Sequence, residues 1–502
     1  MRRAAASLLV CAACGGEPAG FPDLIAVSGT ALWKPGCAGP AGGGTLFRDA
    51  EVEPALAVDP GDAKHLIGVW QQDRWSNGGA NGVMAATSFD GGHTWSRSAA
   101  RFTRCSGGSF DRASDPWVSI GGDATAYQIA FAFDETAPNR AMLVSSSTDG
   151  GRTWGQPAAL QQDSNPDLAM DKETLTADPL DGRYAYAVWD RLTGFTEPSN
   201  PQNTGPTWFT RTSDRGATWE PPRSVYDPGP DSQTIANQIV VLPDATLVNL
   251  MTVITRNSSK NPIASIAVLR SKDRGVSWLP PVSIAEAQFV GVVDPKSGRG
   301  IRSGSVVATI AADPAGDGVV YVAWEDARFS AGAHDAIALS RSADGGATWS
   351  APVQVNARAP GAQAFTPVLA VAEGGRLGVS FYDLRNDDPG DPARLTVTQW
   401  VASSGDGGAT FTETLIGAPF NVKAAPLVDG PAYFLGDYQG LAHAGTVFLP
   451  FFAAVPEGGA SNIYFRPADA ASAANPLELA VLGVQQIWRG ARERWRFGTL
   501  FK

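Results

Sequence analysis

Residues 88–95 read SFDGGHTW, a stretch that fits the pattern Ser/Thr-x-Asp-x-Gly-x-x-Trp/Phe. The pattern returns as STDGGRTW at 147–154 and SADGGATW at 342–349, and six copies occur in all. Their aspartates, about 63 residues apart on average, are Asp90, Asp149, Asp214, Asp273, Asp344 and Asp406. A motif repeated at such a period indicates one body built from similar units, not several unrelated domains.

The segments around each motif are short, rich in β-branched and aromatic residues, and separated by Gly, Pro and Asp. EPALAVD, HLIGVWQQ and GVMAATS precede the first copy. Such runs predict strands, so each repeat is expected to be a four-stranded blade of an all-β propeller. After the sixth copy, YFLGDYQGL, TVFLPFFAAV and NIYFRPA predict three more strands, and LIAVSGTALW could add a fourth. We favour seven blades, with six as the alternative, because ring closure leaves no long unpaired edge.

Each residue type in the motif has a role in folding. The Asp carboxylate can accept hydrogen bonds from the amides ahead of it, and the Ser/Thr hydroxyl can add another. Gly allows the positive φ of a tight turn, and the Trp or Phe ring returns to the sheet and is buried. We therefore interpret the six aspartates as structural and look for chemistry elsewhere in the repeat.

The motif matches the Asp box, also called the BNR repeat, and residues 47–470 resemble the sialidase superfamily of β-propellers. The resemblance implies that the boxes join the third and fourth strands of each blade, on the face opposite the ligand site. It also implies that ligand-binding residues lie on loops between second and third strands and on the crossings between blades.

Asp or Arg recurs where the predicted second strands end, in QQDRW, WDR, WEDAR and FYDLRND. A ring of acids, arginines and aromatic residues would suit a polar ligand such as a sugar, and the equal alternative is that Asp and Arg pair with one another. The candidate binding residues at these ends are Arg74, Asp190, Arg191, Asp326, Arg328, Asp383 and Arg385. The blade crossings add Asp115, Asp171, Lys172 and Glu173.

The resemblance implies three arginines that bind a substrate carboxylate, an acid–base Asp, and a Tyr nucleophile activated by a Glu. Arg74 matches one arginine, but Val52 stands where another is expected. The loop WSNGGANG holds no carboxylate, which leaves Asp73 as the candidate acid. Ala236 occupies the position of the Glu. These losses predict that the protein releases little sialic acid from an ordinary sialoside.

Tyr382 is the candidate nucleophile, with Tyr438 as an alternative. The sequence thus predicts a sialidase-like propeller that recognises a glycan or glycoconjugate, with glycoside hydrolysis through a rearranged site as an open question. The alternative is a non-catalytic lectin-like or protein-binding propeller of the cell envelope, which would have an envelope protein as its partner. We expect no cofactor and no metal, because the four His are dispersed.

The chain has 39 basic and 50 acidic residues, and this balance argues against a nucleic-acid partner. Residues 1–13 resemble a lipoprotein signal peptide, with Cys14 as the lipidated residue, so we expect export and either a lipid anchor or free secretion. Residues 14–46 form a linker. Cys37 and Cys105 could form a disulfide or remain free thiols. Residues 471–502 predict a basic, aromatic tail that touches a membrane or partner, or is loosely docked.

Overall fold

The computed structural model describes residues 24–194, 204–256, 262–316, 318–359, 362–428 and 430–468. The signal segment 1–13, the lipidation site Cys14 and the tail 471–502 lie outside the described residues. Within these ranges no helix is both long and apolar enough to cross a membrane.

Nearly all regular structure in these ranges is β, as the sequence predicts. Strand β1 (Ile25–Ala26) precedes three antiparallel four-stranded units, here called sheets 1 to 3, that follow one another along the chain. A single pair, Ala80 with Ala113, joins sheets 1 and 2 into one eight-stranded sheet. Sheet 1 contains β2 (Leu46–Asp59), β3 (Asp62–Trp75), β4 (Ala80–Ser88) and β5 (Ser96–Ser98). Sheet 2 contains β6 (Arg112–Ile120), β7 (Ala126–Phe133), β8 (Arg140–Ser147) and β9 (Ala158–Asp163). Sheet 3 contains β10 (Leu168–Ala177), β11 (Ala185–Thr193), β12 (Thr207–Thr212) and β13 (Arg223–Tyr226).

The next three sheets repeat this strand order. Sheet 4 contains β14 (Ser232–Val241), β15 (Leu247–Thr255), β16 (Ile263–Ser271) and β17 (Val282–Ala287). Sheet 5 contains β20 (Thr309–Ala312), β21 (Val320–Asp326), β22 (Ala336–Ser342) and β23 (Val353–Gln354). Sheet 6 contains β24 (Ala364–Ala372), β25 (Arg376–Asp383), β26 (Thr396–Ser404) and β27 (Thr412–Leu415), with β28 (Phe420–Asn421) beside β26.

A final sheet and a small extra sheet complete the described structure. Sheet 7 contains β31 (Gly440–Ala444), β32 (Val447–Ala454) and β33 (Asn462–Phe465), and β1 pairs with β33 as its fourth strand. The extra sheet, here the cap sheet, contains β18 (Val292–Val293), β19 (Gly300–Arg302), β29 (Leu427–Val428) and β30 (Ala432–Phe434). Short 3-10 helices span Arg104–Ser106, Ala327–Ser330, Glu373–Gly375 and Val422–Ala424.

The first strands of sheets 1 to 7 contact one another in chain order, and β31 of sheet 7 in turn contacts β2 of sheet 1. Each motif of the type SFDGGHTW joins the third and fourth strands of its sheet. Because neighbouring strands are antiparallel, the turns between second and third strands and the crossings between sheets lie at the other end of each sheet. The cap sheet is built from two such crossings, so it lies on the face opposite the motifs.

The six motif turns share one set of hydrogen bonds. In the first, the Thr94 amide donates to Asp90 Oδ1 at 2.9 Å, and the Thr94 hydroxyl donates to Oδ2 at 2.6 Å. The Ser88 hydroxyl accepts from the Gly92 amide at 2.8 Å. A hydroxyl residue precedes the aromatic residue in all six copies, and it supplies the second hydrogen bond to the Asp each time.

The aromatic residue of each turn helps join neighbouring sheets. Trp95 in sheet 1 packs on Phe465 in sheet 7, and Trp278 in sheet 4 packs on Phe209 in sheet 3. The second glycine of the turn permits this approach, because a Cβ on Gly92, whose φ is 92°, would lie 2.1 Å from the Phe465 ring. Sheet 1 therefore meets sheet 7 through the same kind of contact that joins consecutive sheets.

Candidate functional site

Charged side chains from several sheets meet where the first strands converge. The Lys172 ammonium contacts the Asp115 carboxylate, Asp437 Oδ2 at 2.7 Å and Glu53 Oε1 at 3.5 Å. Arg302 binds Asp437 through two bonds, Nε to Oδ1 at 2.9 Å and Nη2 to Oδ2 at 2.6 Å. We call this group, together with Arg74 and Asp171, the axial cluster.

A shared irregularity of the first strands directs these side chains. Glu53, Asp115 and Lys172 have φ values of 55°, 52° and 49°, and the pairing with the second strand shifts at each of them. Ala236 and Thr366 occupy matching positions in sheets 4 and 6. Such β-bulges turn a side chain away from the regular alternation of the strand. Here they turn three charged groups towards one another.

The cap sheet brings two further groups to the same place. Strands β19 and β30 run parallel, with Arg302 paired to Phe434. The Phe434 ring is fully buried between two guanidinium groups, 4.9 Å from that of Arg74 and 5.2 Å from that of Arg302. A buried aromatic face stabilises cations placed over it, so Phe434 holds two of the cluster's three cations in position.

Burial and ion pairing divide the carboxyl groups of the cluster into two kinds. Burial raises the pKa of Glu53 to about 7, with a further rise from the Asp115 carboxylate. Burial also raises the pKa of Asp171 to about 6, against the opposing charge of Lys172. Burial acts on Asp437 in the same direction, but Lys172 and Arg302 together hold the pKa of Asp437 well below its usual range. The cluster thus combines a firmly ionised carboxylate with two that take up protons near neutrality.

The residues of the axial cluster differ in their exposure. Glu53, Asp115 and Lys172 are at least nine-tenths buried, whereas 34% of the Arg302 side chain is exposed and Asp171 is half-buried. A cavity of about 30 Å³ is bordered by Trp117, Lys172, Glu173 and Tyr438. That volume is too small for a sugar ring, and the exposed surface of the cluster is at Arg302 and Asp171. We call these two residues the axial opening.

Two of the sequence candidates, Asp73 and Arg74, are adjacent in β3 but differ in their surroundings. Asp73 is buried and accepts hydrogen bonds from Trp33 Nε1 and the Asp49 amide, both at 2.9 Å. Arg74 belongs to the axial cluster and donates from Nη1 to Gln71 Oε1 at 2.7 Å. The Asp73 carboxylate is thus occupied by the chain itself, which argues against an acid–base role.

The other candidate arginines lie nearer the periphery and are paired. Arg191 binds Asp163, Arg328 binds Asp326, and Arg385 binds both Asp383 and Glu413. Each guanidinium also lies within 6 Å of a Trp ring. These pairs correspond to the alternative that Asp and Arg satisfy one another, and they lie apart from the axial cluster.

Asp190 and the two candidate tyrosines also have structural surroundings. Asp190 is fully buried and accepts from Thr234 Oγ1 at 2.7 Å and the Ala236 amide at 2.9 Å, which supports the bulge of β14. The Tyr382 hydroxyl donates to the Ala453 carbonyl at 2.8 Å and is 1% exposed. Tyr438 donates to the Pro116 carbonyl at 2.9 Å. The Tyr382 hydroxyl thus links sheet 6 to sheet 7.

Only part of the axial cluster could be predicted from the sequence. Asp115, Asp171 and Lys172 were expected at blade crossings, but Glu53, Arg302, Phe434 and Asp437 were not singled out. One sequence feature does coincide with bulge positions: a proline follows an acidic residue or Thr in three first strands. These pairs are Glu53–Pro54, Asp115–Pro116 and Thr366–Pro367. No sequence pattern distinguishes Arg302 or Phe434, because both residues belong to the cap sheet and not to a first strand.

Cys37 and Cys105 are joined by a disulfide in the structure, with Cα atoms 5.0 Å apart. The bond ties the segment before β2 to the crossing between sheets 1 and 2. In the described ranges, no group of three or more His, Cys, Asp or Glu side chains is arranged to hold a metal ion.

No family model and no curated protein matches the sequence. Among solved structures, the chain is similar to the Hadza microbial sialidase Hz136, at 17% identity over 82% of this chain and 74% of that chain, with a TM-score of 0.47. It is also similar to the α-L-arabinofuranosidase Arb93A from Fusarium graminearum, at 10% identity over 91% and 99%, with a TM-score of 0.47. A protein of unknown function from Dyadobacter fermentans aligns at 14% identity over 89% and 98%, with a TM-score of 0.44.

Proposed function

We propose that the protein is a sialidase-like, seven-bladed β-propeller that recognises a glycan through the axial opening. The observation that carries the proposal is the placement of Arg302 and Asp171 at the accessible end of a buried charged cluster. A guanidinium donates hydrogen bonds and a carboxylate accepts them from vicinal hydroxyls, and Arg302 Nε and Nη2 already donate to Asp437. Such groups, beside a rigid aromatic support, are suited to a sugar with several polar groups.

The contacts between the sheets support the blade number. Seven first strands contact one another in a closed order, and β1 supplies the fourth strand of sheet 7. Closure through a terminal strand protects the edges that sheets 1 and 7 would otherwise expose. The axial cluster would then lie on the propeller axis.

Export is part of the proposal. The signal-like residues 1–13 and Cys14 suggest a lipid anchor at the cell envelope, with free secretion as the alternative. A structural disulfide between Cys37 and Cys105 is typical of an oxidising compartment and supports either outcome. An envelope protein remains the alternative partner if no glycan binds.

The surroundings of the acids favour recognition over hydrolysis. Asp437 is 2% exposed and is bound by both Lys172 and Arg302, so its oxygens are occupied. Glu53 is 1% exposed, and Tyr382 is bonded to the backbone of β32. A glycosidase needs two groups that reach opposite sides of the scissile bond, and only Asp171 among these acids is partly exposed.

Glycan binding should depend on the axial opening. For a glycan identified by array screening, we expect Arg302→Ala and Asp171→Asn each to weaken binding by about tenfold, as expected for loss of a hydrogen bond to a charged group. Arg215→Ala is the matched control, because Arg215 is exposed in the third motif turn on the opposite face. Calorimetric titration measures the affinities, and unchanged binding in an Arg302→Ala, Asp171→Asn double variant would remove the proposal.

Hydrolysis is the second candidate function, and one observation favours it. Asp171 is half-buried at the opening, and its pKa of about 6 suits a general acid. We expect little release of fluorophore from a standard sialoside, because no nucleophile accompanies Asp171. Robust turnover that Asp171→Asn abolishes, and that declines as the pH rises above about 6, would show instead that the protein is a hydrolase.

A further inference from the structure

A second cavity opens away from the axial cluster, beside sheet 5. Its volume is about 330 Å³, against about 30 Å³ for the cavity at the axis. The residues that line it and carry the argument are Phe329, Ser330, His334, Gln354, Asn356 and Arg358. We call this cavity the rim pocket. Its size is sufficient for one sugar ring, which the axial cavity cannot hold.

The rim pocket lies on the same face as the axial opening. One wall follows the second strand of sheet 5, where the 3-10 helix Ala327–Ser330 leads into β22. The other wall comes from residues 354–359, at the end of the fourth strand, β23, and from Ala362, which precedes sheet 6. Both segments are at the ends of strands opposite the motif turns. A glycan held at the axial opening would therefore share this face with the rim pocket.

Arg358 gives the rim pocket a positive charge. Its Nε donates to Gln354 Oε1 at 3.1 Å, and within the described ranges its guanidinium forms no ion pair. Arg328 and Arg385, by contrast, are bound to carboxylates. In a chain of net charge −11, an exposed arginine without a carboxylate partner, beside a cavity, is a specific place for an anionic group.

The remaining lining suits a sugar ring. Asn356 Oδ1 accepts from the Ile337 amide at 2.8 Å, which fixes the side chain and leaves Nδ2 with one weak bond, 3.5 Å long, to the Ala357 carbonyl. Phe329 is partly buried against the core of sheets 4 and 5 and offers an apolar surface. Ser330 Oγ accepts from the His334 amide at 2.9 Å, which holds the turn between them. The pocket thus combines fixed donors with an aromatic surface before any ligand arrives.

We propose that the rim pocket is a second carbohydrate site and that it binds a sugar unit bearing an anionic group, a carboxylate or a sulfate. Arg358 pairs with the anionic group, Asn356 Nδ2 donates to a ring hydroxyl, and Phe329 packs against the ring. The choice of a sugar as ligand depends on the proposed glycan recognition. The rim pocket itself is formed by residues that are separate from the axial opening. A protein with both sites would favour acidic polysaccharides over neutral ones.

Three methyl glycosides test the rim pocket: methyl β-D-glucuronide, methyl β-D-glucoside 6-sulfate and the neutral methyl β-D-glucoside. Calorimetry or ligand-observed NMR should show binding of at least one anionic probe about tenfold tighter than the neutral one. Preference for the glucuronide indicates a uronic acid, and preference for the sulfate indicates a sulfated sugar. Equal binding of all three glycosides, or equally tight binding of inorganic phosphate, would overturn the proposal.

Two variants separate this proposal from the proposed function. Arg358→Gln should remove the preference for the anionic probe while leaving the thermal stability unchanged, because Arg358 is exposed. Arg215→Ala, in a motif turn on the opposite face, should leave binding of the small probes intact. If Arg358→Gln has no effect on probe affinity, the rim pocket proposal fails whatever the axial opening binds. If the probes bind through Arg358 but no glycan depends on Arg302, only the axial proposal fails.

Discussion

Aspartate has two contrasting roles in this protein, and its environment decides between them. The motif aspartates are at the surface, where hydrogen bonds from Thr94 and Ser88 lower the pKa of Asp90 to about 2. Asp171 is half-buried near other carboxylates, and burial raises its pKa to about 6. The first kind stays ionised and holds a turn, and the second can exchange a proton near neutral pH. Residue type alone does not separate these roles.

Because the ionised Asp344 carboxylate holds its motif turn, we expect the effect of Asp344→Ala on stability to depend on pH. Hydrogen bonds from Thr348 hold the pKa of Asp344 at about 2, so the carboxylate stabilises the fold above the pKa of an unfolded Asp, about 4. That contribution is lost as the pH falls from about 4 to about 2. We expect the variant to be less stable than wild type at pH 7 by on the order of 1 kcal/mol, which is about 1 °C in melting temperature for a chain of this size, and the gap to close near pH 2.

Asp62→Ala is the control for this experiment, because Asp62 is exposed and accepts a single backbone hydrogen bond, from Lys64. Thermal melts of wild type and both variants at pH 7 and near pH 2 give the comparison. A gap between Asp344→Ala and wild type that persists unchanged at low pH would contradict the role of the ionised carboxylate.

At the level of the elements, the sequence predicted the regular parts and missed the irregular ones. Strand runs and motif turns were readable because hydrophobic alternation and turn hydrogen bonds involve residues close in sequence. The bulges at Glu53, Asp115 and Lys172 were not predicted, since a bulge depends on pairing with the next strand. The ends of the second strands drew attention to Asp383 and Arg385, which the structure shows to be paired with each other.

The cap sheet is an element without a sequence signature. Its strands are two or three residues long and come from crossings more than a hundred residues apart. Parallel pairing of Ile301 with Tyr433 and of Arg302 with Phe434 brings these crossings together. No period in either segment predicts this contact, which explains why Arg302 and Phe434 were absent from the sequence candidates.

For the whole molecule, the segment between β1 and β2 joins sheets that are distant in sequence. Strand β1 pairs with β33 in sheet 7, and Trp33 donates to Asp73 in sheet 1. Arg112 in sheet 2 donates to the Ala41 carbonyl at 2.9 Å. The disulfide from Cys37 to Cys105 fixes the segment covalently. Ring contacts between sheets 7 and 1 therefore depend partly on this segment.

Loss of the disulfide should lower the stability of the whole molecule. The bond closes a loop with a sequence separation of 68 residues, for which chain entropy suggests a contribution of about 4 kcal/mol. We expect Cys37→Ser and Cys105→Ser to lower the melting temperature to a similar extent. A reductant should lower the melting temperature of the wild type by a similar amount and leave the melting temperatures of both variants unchanged. A wild-type melting temperature that reductant does not alter would show that the segment is held by its noncovalent contacts alone.

The sequence by itself determined the all-β class and the six matching turns, whereas the face on which the turns lie was only implied by the family resemblance. It could do so because the hydrogen bonds of each turn span two to four residues and recur with the repeat. Only the tertiary structure decided which charged groups meet at the axis. Lys172 reaches Asp115 across 57 positions and Asp437 across 265, and the Asp437 amide reaches Glu53 across 384. Contacts of that range depend on how the sheets pack around the ring, which no local pattern encodes.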